Sequence, residues 1–331
     1  MRHLLIISLM AGISSTGIAM ATQESPSTQQ SIATGAVSQK TFTEQLRKTV
    51  GFLRVTYRDD ASHMQVTGTC FFVYVEDKRL GENRGFTYLV TNRHMAQPGI
   101  ERGVVYPVDQ VFIRMNLTSP HSGNESVEEQ IPIGPRLHWF FPDDDSIDLA
   151  VLQVDPDQSK YDFQIIPESL LATPNQISSF VVEPGDSVVF AGYFYQFPGQ
   201  KRIEPIVRQG ILAMMPEEMV STTLQKPGQL FLADAHAFHG NSGSPLFVKL
   251  GGSRHGQLIA GENYLLIGVI SGYYPEGESF SVPAAAVLSG EVHDNSGIAT
   301  VVPAEDLLKL LDSTKLQSDR DSKIAASAPH H

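Results

Sequence analysis

The sequence predicts an all-β fold with short helices only toward its ends. Runs rich in β-branched and aromatic residues recur at 50–57, 67–75, 85–91, 110–115, 207–212, 265–272 and 297–303. Clusters of Gly, Pro, Asn and Asp punctuate them, as strand boundaries require. A short helix fits 42–50, and a second fits 304–311, where Leu307, Leu308 and Leu311 share one face. Many short strands without alternating long helices argue against an α/β design.

Taken in order, residues 1–21 have the layout of a signal peptide. Arg2 and His3 precede an apolar run, and Ala19-Met20-Ala21 supplies small residues at a cleavage point. The run is too short and too broken by Ser and Gly to span a bilayer. This predicts an exported protein, periplasmic or secreted, with no membrane attachment once the peptide is removed. Residues 22–41, rich in Ser, Thr and Gln, read as a flexible leader. A first folded unit is expected over 42–158, with 116–130 as a polar surface loop. A Pro-containing linker follows at 159–178, and a second unit at 179–312 includes the terminal helix. Residues 313–331 read as a polar tail.

Composition narrows the function. The formal net charge of the 331 residues is −12, whereas phosphate binding needs clustered Lys and Arg, so nucleic acid is not an expected partner. Cys70 is the only cysteine. It reads as a small buried hydrophobe, and an exported chain without an internal disulfide must hold itself by core burial. No His/Cys cluster has zinc spacing, so neither a metal nor a cofactor is expected.

Three stretches carry chemistry. His239-Gly240-Asn241-Ser242-Gly243-Ser244-Pro245 places a serine between glycines, which permit a loop that turns backbone N–H groups toward one point. Tyr88 to His94 is an apolar run that ends in Thr91-Asn92-Arg93-His94. Asp148 stands at the mouth of Leu149-Ala150-Val151-Leu152, next to the run Asp143, Asp144 and Asp145. Of these aspartates Asp148 alone adjoins the apolar run, and a carboxylate that orients a histidine must be partly buried. A serine hydroxyl is a weak nucleophile until a base takes its proton. The chain order His94, Asp148, Ser242 is that of the chymotrypsin-type triad.

These motifs resemble those of the trypsin-like, chymotrypsin-fold serine peptidases, specifically the bacterial HtrA-like and glutamyl-endopeptidase-like branches. Thr91-Asn92-Arg93-His94 is similar to their Thr-Asn-x-His, Asp148-Leu149-Ala150-Val151-Leu152 to their Asp-Leu-Ala-Val-Leu, and Gly240 to Pro245 to their Gly-Asn-Ser-Gly-Ser-Pro. The resemblance implies two six-stranded Greek-key barrels with the cleft between them. It implies catalysis by His94, Asp148 and Ser242, with an oxyanion hole from the N–H groups of Gly240 and Ser242. It also implies polypeptide substrates, which lie along Ser271 and Gly272 with a side chain reaching toward His236. With His236 where trypsin-like enzymes carry an aspartate, cleavage after Lys or Arg is not expected. The segment after Leu311 is too short for the PDZ domain HtrA proteins usually add. Cys70 stands where the family has a glycine, and Asn241 stands where trypsin-like zymogens carry an aspartate. A peptidase fold kept as a binding module without turnover is the alternative reading.

Overall fold

Strand order explains how a chain with so few helices closes on itself. The computed structural model describes residues 41–59, 62–135, 137–254, 257–282 and 288–327. The expected signal peptide and nearly all of the expected leader lie outside the described residues. A short helix α1 (Phe42–Lys48) opens the fold, with Thr41 and Glu44 forming a reciprocal capping box. The first half then runs through β1 (Val50–Asp59), β2 (Ser62–Glu76), β3 (Gly85–Thr91), α2 (Arg93–Ala96), β4 (Val108–His121), β5 (Asn124–Ile131) and β6 (Ala150–Val154). In space the order is β5-β4-β1-β2-β3-β6, so β4 returns beside β1 after three consecutive strands. That return is the Greek key.

Between the halves, β7 (Ile166–Pro167) pairs in parallel with β2, and α3 (Pro174–Ser179) begins on a Thr173 capping box. The expected linker at 159–178 is therefore packed. Ile166, Leu171 and Ala172 are buried, and Ala172 N–H donates to Leu266 O at 2.9 Å. The second half comprises β8 (Ser187–Gly192), β9 (Ile206–Met214), the pair β10 (Val220–Ser221) and β11 (Pro227–Gly228), β12 (Phe231–Asp234), β13 (Pro245–Arg254), β14 (Gln257–Val282) and β15 (Leu288–Pro303). Its six main strands close into a barrel of order β12-β15-β14-β13-β8-β9. Numbered within its own half, each unit has the same neighbour order, one-two-three-six and one-four-five. Only the second half joins its fifth and sixth strands by a ladder among the described residues. The all-β, chymotrypsin-like expectation holds, with the first barrel closed less completely than the second.

Both faces of the central strands are buried, which explains their near-continuous apolar runs. Along β2, Cys70 and Phe72 point into one cluster with Leu53, Leu89 and Leu152. Phe71 and Val73 point into a larger cluster with Phe190, Phe247 and Leu266 of the second half. Cys70 is fully buried beside Gly51, as expected, and burial pushes its thiol pKa far above the ordinary range.

Two expectations are corrected. Residues 116–130 are not a loop, because β4 continues to His121 and pairs with β5 as a hairpin. Residues 313–331 are not a tail throughout. After α4 (Ala304–Leu311), a second helix α5 (Thr314–Ser327) packs back on the first half. Its Leu316 is buried, and its buried Arg320 donates to Tyr88 Oη at 3.2 Å and to Leu311 O at 3.0 Å.

Candidate active site

His94 and Asp148 meet because β3 and β6 are neighbours. Thr91 pairs with Ala150, so the chain leaving β3 and the chain entering β6 emerge side by side. Asn92 secures that junction, its Nδ2 donating to Asp148 O at 2.8 Å. Asp148 then engages His94 twice: Oδ1 accepts from the His94 backbone N–H at 2.9 Å, and Oδ2 lies 2.7 Å from His94 Nδ1. The Asp148 side chain is 1% exposed and that of His94 13%. Burial disfavours both charges, but the two oppose each other at contact. The net result holds the His94 pKa above its ordinary 6.5 and the Asp148 pKa below its ordinary 3.8.

The competing aspartates are occupied elsewhere. Asp143 and Asp145 pair with Lys315 and Lys226, and Asp144 accepts from Ser146 N–H at 2.9 Å.

The serine loop comes from the second half, between β12 and β13. Asn241 N–H donates to Phe238 O at 2.9 Å, closing a turn whose third residue is Gly240 with φ +95°. A positive φ at that position is what a type II turn requires. A Cβ on Gly240 would stand 2.4 Å from Tyr193 Cδ1, and one on Gly243, at φ +86°, would stand 2.0 Å from Thr69 O. Both glycines are therefore fixed by conformation and by space. Among the described residues, neither the Gly240 N–H nor the Ser242 N–H has a protein acceptor. Two free backbone donors beside a serine hydroxyl suit a developing oxyanion.

Ser271 ties the serine loop to the His/Asp pair, a link the sequence reading missed. Its hydroxyl donates to Asp148 Oδ2 at 2.5 Å and lies 2.7 Å from Thr223 Oγ1. Its carbonyl accepts from Ser242 Oγ at 3.1 Å. The expected His94, Asp148 and Ser242 are thus joined in one network through a residue expected only to face substrate. β13 leaves β14 at Val269, so the backbone of Ser271 and Gly272 presents an edge that β13 does not cover.

His236 does not join this network. Its φ is +48°, its side chain is 65% exposed, and its ring lies beside Gly297 and 3.6 Å from Asp234 Oδ1. The expectation that it forms the base of a pocket is not matched, because the left-handed backbone turns the ring outward.

Two units of like strand order, with a His/Asp pair from one half and a glycine-bounded serine from the other, have the layout of a chymotrypsin-like fold. A family model for the trypsin-like peptidase domain matches residues 68–254, and the chain belongs to that family, as a serine endopeptidase. Among solved structures, the chain is similar to Deg5, at 16% identity over 81% of this chain and 88% of that one, with a TM-score of 0.43. It is also similar to the HtrA-type protease AlgW with a tripeptide, at 16% identity over 83% of this chain and 63% of that one, with a TM-score of 0.45. The chain thus spans less than two thirds of AlgW. Overlaps this loose carry no argument about function, and the family membership rests on the sequence match. No curated relative matches the chain in sequence.

Proposed function

We propose that this chain is an exported endopeptidase that cuts polypeptides through an acyl-enzyme formed on Ser242. In this reading His94 Nε2 takes the Ser242 proton as Oγ bonds to the scissile carbonyl carbon. The carbonyl oxygen becomes an oxyanion held by the Gly240 and Ser242 N–H groups. Collapse breaks the C–N bond, and His94 returns the proton to the leaving amine. Water then repeats the sequence on the ester and frees Ser242. Asp148 keeps the Nδ1 proton of His94 in place and stabilises the imidazolium. The uncovered edge at Ser271 and Gly272 takes the substrate as an added strand. Export, to the periplasm or beyond the cell, rests on the pattern of residues 1–21.

The observation that carries this reading is the double contact of Asp148 with His94, in a network that reaches the hydroxyl of Ser242. The test is hydrolysis of labelled casein by the wild type and by Ser242→Ala. Turnover by the wild type and its loss in the variant are expected. A folded wild type without turnover would instead make the chain a binding module.

A further inference from the structure

Thr69, on β2 of the first half, contacts the serine loop of the second half through several of its atoms. Its backbone N–H donates to Ser242 O at 2.8 Å. Its Oγ1 donates to Gly240 O at 2.8 Å and accepts from Tyr193 N–H at 2.9 Å. Its own carbonyl accepts from Thr91 Oγ1 at 2.9 Å. Thr69 is fully buried. We propose that the Thr69 hydroxyl is a positioning residue for the oxyanion hole, holding the Gly240 turn in the form that leaves the Gly240 and Ser242 N–H groups open to substrate. The inference rests on the hydrolytic reading of the same site.

The physical argument is that a turn with glycine at its third position has two accessible forms. With Gly240 at φ +95° the turn is type II, and a flip of the preceding peptide would convert it to type I and redirect the Gly240 N–H. Glycine pays almost nothing for either form, so the loop sequence does not choose between them. The choice is made by groups around the turn, and Thr69 Oγ1 acts at its exit and on Tyr193, whose ring stands against Gly240, rather than on the peptide that flips. Thr69 Oγ1 holds the Gly240 carbonyl, and the same oxygen holds Tyr193 N–H. Tyr193 in turn presents its carbonyl to Asn241 Nδ2 at 2.8 Å, and its ring packs edge-on to Phe52 with centroids 4.7 Å apart. One hydroxyl is thus shared between the turn and the segment that braces it. Because the grip comes from the other half of the molecule, the oxyanion donors form only when the two halves are correctly joined.

The experiment compares Thr69→Val and Thr69→Ala, which remove the hydroxyl and keep the backbone bonds, with Thr69→Ser, which keeps the hydroxyl. Each is assayed with a fluorogenic peptide chosen by library profiling of the wild type, alongside a melting curve. Removing an oxyanion donor outright typically lowers kcat by about 10²–10³-fold. A misplaced donor should cost about 10- to 100-fold in kcat with KM within about twofold, and Thr69→Ser should recover kcat to within about threefold. Wild-type kcat in a folded Val or Ala variant would overturn the proposal. So would a Ser variant as impaired as Val, or loss of the fold in both Val and Ala, which would make the hydroxyl a determinant of the barrel junction instead. A wild type that neither turns over peptide nor takes a fluorophosphonate label refutes the hydrolytic reading itself, an outcome distinct from failure at Thr69.

Discussion

The Ser271 hydroxyl reaches across the boundary between the two halves and donates to Asp148 Oδ2 at 2.5 Å. Asp148 is a buried carboxylate in the first half, and Ser271 lies on β14 of the second. The bond therefore stabilises the charged form of Asp148 and the union of the halves together. Hydrogen bonds to charged groups contribute about 1.5–3 kcal/mol net. Ser271→Ala is expected to lower unfolding stability by about that amount in urea titration at neutral pH, and to reduce kcat/KM. The Ser271 carbonyl that accepts from Ser242 survives the change, so nucleophile placement itself is retained.

The coupled pKa shifts of His94 and Asp148 set a pH window. His94 acts as a base only when neutral, and its pKa is raised above 6.5 chiefly by the facing Asp148 carboxylate, against the opposing effect of burial. The acid limb of kcat/KM is therefore expected above pH 6.5. For stability the signs differ. The His94 contribution is complete below its unfolded pKa and is lost as pH rises through its raised folded value. The Asp148 contribution is present above its unfolded pKa and is lost as pH falls through its depressed folded value. The pair should thus stabilise the fold most in mildly acidic solution, where activity is already falling. Asp148→Asn should remove the raised limb and lower kcat by about 10⁴-fold. Stability and pH–rate profiles of the two proteins check both points.

Much of this was legible in the sequence because it rests on local pattern. The apolar runs of β2, β3 and β14 and the turn glycines announce themselves in a few residues. The β4–β5 hairpin did not, because β5 alternates Glu125, Glu128, Glu129 and Gln130 with few apolar residues and only Ser126 and Ile131 are buried. Helix α5 escaped for a related reason: its seat is Leu316, the stem of Arg320 and Ile324 on one face, and the arginine in the middle place interrupts the apolar stripe that would announce it. Ser271 and Thr69 were visible as strand residues, but their bonds join segments far apart in sequence, which only the packing of one half on the other brings together. The family resemblance alone sets His236 beside the substrate, and a motif match does not carry its positive φ.

Asn241 shows what replaces the charged switch of trypsin-like zymogens. It is 1% exposed and its amide is satisfied within the protein, with Oδ1 accepting from Phe238 N–H at 2.8 Å and Nδ2 donating to Tyr193 O at 2.8 Å. No newly formed ammonium is needed to hold the turn. Chains beginning at Thr22, Ser31 or Phe42, with free or acetylated N-termini, are expected to have equal specific activity. Asn241→Asp would set a carboxylate against the Tyr193 carbonyl and lose the donor. A loss of about 1–3 kcal/mol in stability is expected by calorimetry.

Cys70 supplies a check on the core. Its thiol is fully buried and held protonated by its surroundings. Native protein should not react with a thiol reagent such as dithiobis(nitrobenzoate), and unfolding in guanidinium should release one reactive thiol per chain. Reductant should leave the melting temperature unchanged.

The central claim is that Ser242 is a nucleophile made reactive by His94. The most direct measurement is reaction of the folded protein with a fluorophosphonate, followed by mapping of the adduct by tandem mass spectrometry. One adduct on Ser242 in the wild type, with labelling at least about 10²-fold slower in His94→Ala, is the predicted result. A folded wild type that takes no label, or a label on another serine that His94→Ala leaves unchanged, would contradict it.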